Sequence, residues 1–118
     1  MSSVAEIAID AYAAAFQEPD EARRATLLEK CWAVEGRLVT GGRVIQGRAA
    51  LSVEMARFAN DPRGPKIVLR APPDVQGNLF RLTAHAVYSD GTLSPVSFDA
   101  GELDADGRIK TILTFRGP

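Results

Sequence analysis

The sequence predicts an α+β domain in which three N-terminal helices pack in the concave face of a strongly curved, mostly antiparallel sheet, forming a cone-shaped barrel. Three observations predict it. Apolar residues recur at helical steps up to Phe58, β-type runs take over from Lys66, and these runs are separated by the turn pairs Gly77-Asn78, Asp90-Gly91 and Asp106-Gly107. Helices followed by a long-stranded meander argue that one sheet wraps around the helices instead of alternating with them. A sheet twisted in this way leaves a cavity between its concave face and the helices, and function is expected there.

From Val4 to Phe16 the residues Val4, Ile7, Ala8, Ala11, Tyr12, Ala15 and Phe16 form the stripe of an amphipathic helix. Pro19-Asp20 breaks the pattern, and Asp20 is placed to cap a second helix from about Glu21 to Trp32. That helix is expected to bury Ala25, Leu28, Cys31 and Trp32 and to end at Gly36. Arg37–Thr40 and Arg43–Gln46 flank Gly41-Gly42, a pair suited to the positive φ angles of a tight hairpin. Gly47 opens a third helix, from about Arg48 to Phe58, with Leu51, Met55 and Phe58 on one face, and the run Asn60-Asp61-Pro62-Arg63-Gly64-Pro65 ends it. Four strands follow, at 66–76, 79–89, 92–103 and 108–116, the first edged or bulged at Pro72-Pro73 because proline donates no ladder hydrogen bond.

With 118 residues the chain is sized for one core, and residues 1–118 read as a single domain. Its 46% hydrophobic and 25% charged content is that of a globular protein, which excludes disordered and fibrous classes. Fourteen Lys and Arg against 15 Asp and Glu, without a basic run, argue against nucleic acid as a partner. No stretch approaches the roughly 18 apolar residues of a membrane span. The N-terminus lacks the pattern of a signal peptide, and one cysteine, Cys31, suits a reducing compartment, so a cytoplasmic location is expected. One histidine, no paired cysteines and no glycine-rich phosphate loop imply no metal and no cofactor.

The element order, together with Trp32-Ala33, Gly47-Arg48-Ala49-Ala50-Leu51 and the segment Phe98-Asp99-Ala100-Gly101-Glu102-Leu103-Asp104-Ala105-Asp106-Gly107-Arg108-Ile109, resembles the SnoaL-like branch of the nuclear-transport-factor-2-like superfamily. The resemblance spans nearly the whole chain and implies a cystatin-like fold. That superfamily holds polyketide cyclases, ketosteroid isomerase, scytalone dehydratase and limonene epoxide hydrolase beside non-catalytic modules, so the site must decide function.

Asp99 stands where family members often carry an acid reaching into the pocket. A carboxyl there resembles either a catalytic acid/base or the protonated oxyanion-hole Asp of ketosteroid isomerase; on the outer sheet face it would pair with an arginine instead. Tyr12 occupies a place resembling that isomerase's oxyanion-hole tyrosine, although a tyrosine on an amphipathic stripe also serves as core packing. The family's general-base position falls on Thr40, which departs from the pattern and leaves Glu35, Glu54 and His85 as substitutes to consider.

His85 is the only histidine, and its facing depends on the turn at Asp90-Gly91. A two-residue turn pairs Asp99 with Leu82 and sends His85 to the opposite face, whereas one extra loop residue sets Arg81, Thr83 and His85 beside Asp99. We read the odd-numbered set as facing the pocket, because a Thr-His-Arg-Asp cluster resembles active members. Asp99, Tyr12 and His85 are then the candidate catalytic residues. Trp32, Phe16, Thr40, Met55, Phe58, Arg81, Thr83 and Phe115 are the candidate substrate contacts.

The resulting expectation is acid/base chemistry of isomerase, cyclase or dehydratase type on a small hydrophobic carbonyl or polyketide-like compound. The alternative is a non-catalytic module for ligand binding or dimerisation. With Asp99 inward, Val96, Phe98 and Ala100 point outward, and a homodimer through that outer sheet face would cover them.

Overall fold

The computed structural model describes residues 3–117. Helix α1 (Val4–Phe16) starts with a reciprocal cap: the Glu6 amide donates to Ser3 Oγ at 3.1 Å, and the Ser3 amide donates to Glu6 Oε1 at 3.3 Å. Its buried face is Ala5, Ala8, Ile9, Tyr12 and Ala15. Val4 and Ile7, which the apolar stripe had inward, are exposed, so the helix is rotated toward its alanine face. Small side chains there let α1 lie close against its neighbours.

Helix α2 (Glu21–Cys31) is capped as expected, with the Arg23 amide donating to Asp20 Oδ1 at 2.9 Å. Leu28 and Cys31 are buried, but Ala25 is exposed and Arg24 takes the inward place. The Arg24 guanidinium is satisfied there, donating to Ser52 Oγ at 2.9 Å and to the Glu18 carbonyl at 2.6 Å. The helix stops at Cys31, earlier than expected, and Trp32 begins strand β1 (Trp32–Thr40) opposite Ile109. Gly36 is not the helix terminator. A Cβ there would collide with the Trp32 indole nitrogen, so glycine is required for the ring to lie across the strand.

The hairpin from β1 to β2 (Arg43–Gln46) turns on Gly41 and Gly42, both at positive φ. Helix α3 (Arg48–Ala59) buries Leu51 and Met55 completely. The prolines at 72–73 divide the next strand into β3 (Lys66–Leu69) and β4 (Asp74–Gln76), both pairing antiparallel with β5 (Leu79–Val87). Strands β6 (Ser97–Leu103) and β7 (Ile109–Arg116) complete a sheet of order β2-β1-β7-β6-β5-β3, in which only β1 and β7 run parallel. The three helices cover one face of it, and the fully buried centre contains Trp32, Ile9, Leu28, Leu51, Met55, Ile109 and Ile112. No helix of the described residues is long and apolar enough to cross a membrane.

The turn after β5 decides which residues share a face. Tyr88 donates its amide to the Thr92 carbonyl and Val87 bridges Leu93, so the loop holds the extra residue that would bring His85 to the Asp99 side. A second irregularity cancels it. Between Ser94 and Val96 the ladder is interrupted at Pro95, which has no amide to donate, and β6 re-enters one residue out of step, with Asp99 opposite Leu82 and Ser97 opposite Ala84. The face shared with Asp99 therefore carries Phe80, Leu82, Ala84 and Ala86.

Candidate functional site

A cavity of about 520 Å³ opens between α1, α3 and the covered face of the sheet. Helix α1 contributes Ile9, Tyr12 and Phe16, α3 contributes Phe58, and the sheet contributes Leu38, Ile67, Leu69, Leu82 and Ala84. This wall is apolar because strand alternation sends every second residue inward and those residues are aliphatic. Polar side chains interrupt it on adjoining strands: Thr40, Thr114 and Asp99, with Thr40 opposite Thr114 and Thr114 opposite Asp99, and Ser97 two residues from Asp99 on the same face of β6.

Asp99 is the chemically distinctive member. One carboxyl oxygen, Oδ1, is buried without a hydrogen-bond partner. Burial pushes its pKa up from 3.8 to about 6, against the opposing pull of the Thr114 hydroxyl and the Arg116 charge. Tyr12 is held by aromatic packing on both sides, stacked on Trp32 at 5.4 Å and edge-on to Phe16 at 5.1 Å. Burial raises the Tyr12 hydroxyl well above the ordinary phenol range, and the charge of Asp99 adds to that, so Tyr12 stays protonated wherever Asp99 titrates.

The remaining sequence candidates divide. Phe16, Thr40 and Phe58 line the cavity, with Phe58 edge-on to Phe16 at 5.8 Å. Trp32 and Met55 lie in the fully buried core behind the wall, and Trp32 reaches the cavity only through Tyr12. Arg81, Thr83 and His85 are corrected to the outer face by the compensated register described above. Arg81 Nε donates to Asp74 Oδ2 at 2.9 Å across that face. His85 borders the cavity along its strand, but the inward Ala84 and Ala86 on either side turn its ring away. Phe115 is corrected likewise: it pairs with Phe98 on the outer face and is 64% exposed. Neither other substitute base reaches the floor, since Glu35 accepts from Gln46 Nε2 at 3.2 Å on the exposed hairpin and Glu54 sits at the mouth. Cys31 is a buried thiol pushed up to about 12 by burial, which leaves it unreactive.

Sequence reasoning missed the mouth. Arg43, Arg57, Arg63 and Arg116 converge there with Glu54, Asp61 and Tyr88. Arg116 was within reach of a register argument, because counting back from the Asp106-Gly107 turn puts it on the same face as Asp99. The other three arginines come from separate segments that only the folded chain brings together.

Comparison with solved structures finds the same fold repeatedly. A candidate isomerase of the SnoaL-like family from Agrobacterium tumefaciens superposes with a TM-score of 0.84 at 26% identity, covering 94% of this chain and 95% of that one. A protein of unknown function with a cystatin-like fold from Methylobium petroleophilum gives 0.75 at 20% identity, over 98% and 76% of the two chains. A candidate SnoaL-like polyketide cyclase from Jannaschia gives 0.68 at 14% identity, over 98% and 88%. No family model and no curated protein matches the sequence. The chain thus has the SnoaL-like, nuclear-transport-factor-2-like fold, and at these identities the comparisons carry no specific activity.

Proposed function

We propose that the cavity performs acid/base chemistry of isomerase, cyclase or dehydratase type on a small hydrophobic carbonyl compound. The observation that carries this reading is the Asp99 carboxyl on an apolar wall, its Oδ1 buried without a hydrogen-bond partner, beside a tyrosine that keeps its proton. With a pKa of about 6, Asp99 is mostly ionised at pH 7 yet still basic enough to take a proton. Its carboxylate removes a proton from the carbon next to the carbonyl: the C–H bond breaks, the Asp99 O–H bond forms, and the electron pair moves onto the carbonyl oxygen. Tyr12 donates a hydrogen bond to that oxygen, where the low dielectric of the wall strengthens it. Returning the proton to a different carbon completes an isomerisation. The same enolate attacking a second carbonyl, whose oxygen takes the proton back from Asp99, gives a cyclisation, and expulsion of a β-hydroxyl that Asp99 protonates as it leaves as water gives a dehydration.

The alternative is binding without turnover, and Thr40 favours it, because among the described residues no second carboxylate joins Asp99 on the floor. A β,γ-unsaturated ketone such as cyclohex-3-enone separates the two. Conversion to the conjugated enone, lost in Asp99→Asn and rising with pH through an apparent pKa near 6, supports catalysis. Binding without conversion, with Asp99 titrating near 4 by carbon-13 NMR, leaves the binding module. We further propose a cytoplasmic homodimer formed through the outer face of β6 and β7, where Phe98, Leu113 and Phe115 are 49%, 38% and 64% exposed side by side.

A further inference from the structure

The mouth of the cavity carries a charge pattern that proton transfer does not use. Four arginines line it against two carboxylates, leaving two positive charges at the rim of a chain whose overall formal charge is −1. The surplus is unevenly held. Arg43 donates to both Glu54 oxygens, at 3.2 and 3.3 Å, and Arg57 stands 3.8 Å from the same carboxylate, so two guanidiniums share one acid. Arg63 is paired with Asp61 at 2.7 Å, and its guanidinium lies over the Tyr88 ring at 4.5 Å. Arg116 makes no ion pair among the described residues.

Arg116 is also fixed in register with the floor. It stands opposite Ser97, and Asp99 follows two residues along the same face of β6. Two strand residues span about 7 Å, so a group held by Arg116 lies several bonds from an atom that Asp99 attacks. The guanidinium fork matches the two oxygens of a carboxylate or phosphate, and the Arg43–Glu54–Arg57 cluster adds one net positive charge to the lining of the same cavity.

We propose that the ligand is an amphipathic anion: an apolar, carbonyl-bearing body lies against Phe16, Phe58 and Leu82, and a carboxylate or phosphate is held at the mouth by Arg116. This inference rests on the cavity being a ligand site, as argued above. It narrows the preferred substrate class to keto acids, oxo-phosphates and related anions, with a neutral ketone such as cyclohex-3-enone a weaker-binding substrate for the same chemistry.

The test compares 4-phenylbutyrate with its neutral amide of nearly the same shape, read by shifts of the Leu82 and Ala84 amide resonances in nitrogen-15-labelled protein. The acid should bind at least tenfold tighter than the amide at low salt, with a preference that shrinks as salt is added. Arg116→Gln, at an exposed and unpaired position, should cut the preference below threefold, while Arg63→Gln should leave it. Equal binding of the two probes to the wild type overturns the anion assignment and leaves the cavity a ligand site, and a preference that survives Arg116→Gln overturns Arg116 as the group that holds the anion. Failure of both probes to move either resonance removes the ligand-site reading and this inference with it.

Discussion

Replacing Asp99 by asparagine keeps the shape of the side chain and removes its charge, so the pH dependence of the stability difference reports what the cavity does to that charge. In the unfolded chain the carboxyl titrates at 3.8; in the native cavity it titrates at about 6. Between these values the native state holds more protons than the unfolded state, so the wild type loses stability as pH rises through this window. The full loss corresponds to about 3 kcal/mol, and water entering the open mouth reduces it to between about 1.5 and 3 kcal/mol. The Asp99→Asn variant has no such loss. At pH 3.5 the two proteins should agree within about 1 kcal/mol, since each leaves one polar atom imperfectly paired. By pH 7.5 the variant should be the more stable by the stated amount. Urea unfolding followed by the fluorescence of the buried Trp32 gives both values, and other titrating groups cancel in the difference. A difference that does not change with pH would refute the desolvated carboxyl. One that moves in favour of the wild type would mean that attraction to Arg116 outweighs burial.

Other expectations follow from single contacts. Tyr12→Phe keeps the stack on Trp32 and the edge contact to Phe16, so its unfolding midpoint should stay close to wild type, while enone conversion falls by about a hundredfold or more if the hydroxyl serves the oxyanion. Phe115→Glu puts a charge on the outer sheet face without touching the core; light scattering should then report a monomer where the wild type is a dimer, and an unchanged mass would sink the proposed interface. Gly101→Ala would drive a Cβ into the ring of Phe80, so it should destabilise by about 1–3 kcal/mol in denaturant titration, and a neutral result would mean the ring moves freely.

The elements themselves were legible because their signals are local. The break at Pro19, the Asp20 cap, Gly41-Gly42 and the breakers after α3 each act within a few residues, and the structure puts boundaries within a few residues of where they point. The end of α2 misled for the opposite reason. Gly36 reads locally as a terminator, but it is needed for the Trp32 ring lying across the strand, a contact that no sequence window displays.

Asp99 and Tyr12 could be named as candidates from the places they hold in the resemblance to the SnoaL-like family. Which side chains join them could not. The face on which His85, Thr83 and Arg81 fall depends on whether one extra turn residue is cancelled by a second irregularity at Pro95, and a single-residue slip reverses every side chain in the strand. The raised pKa of Asp99 and the gathering of four arginines at the mouth depend on segments far apart in sequence meeting in space. The sequence by itself determined the order of helices, strands and turns, because those preferences are short-range. Only the tertiary structure decided the cavity's chemistry, because desolvation and charge convergence belong to the volume the whole chain encloses.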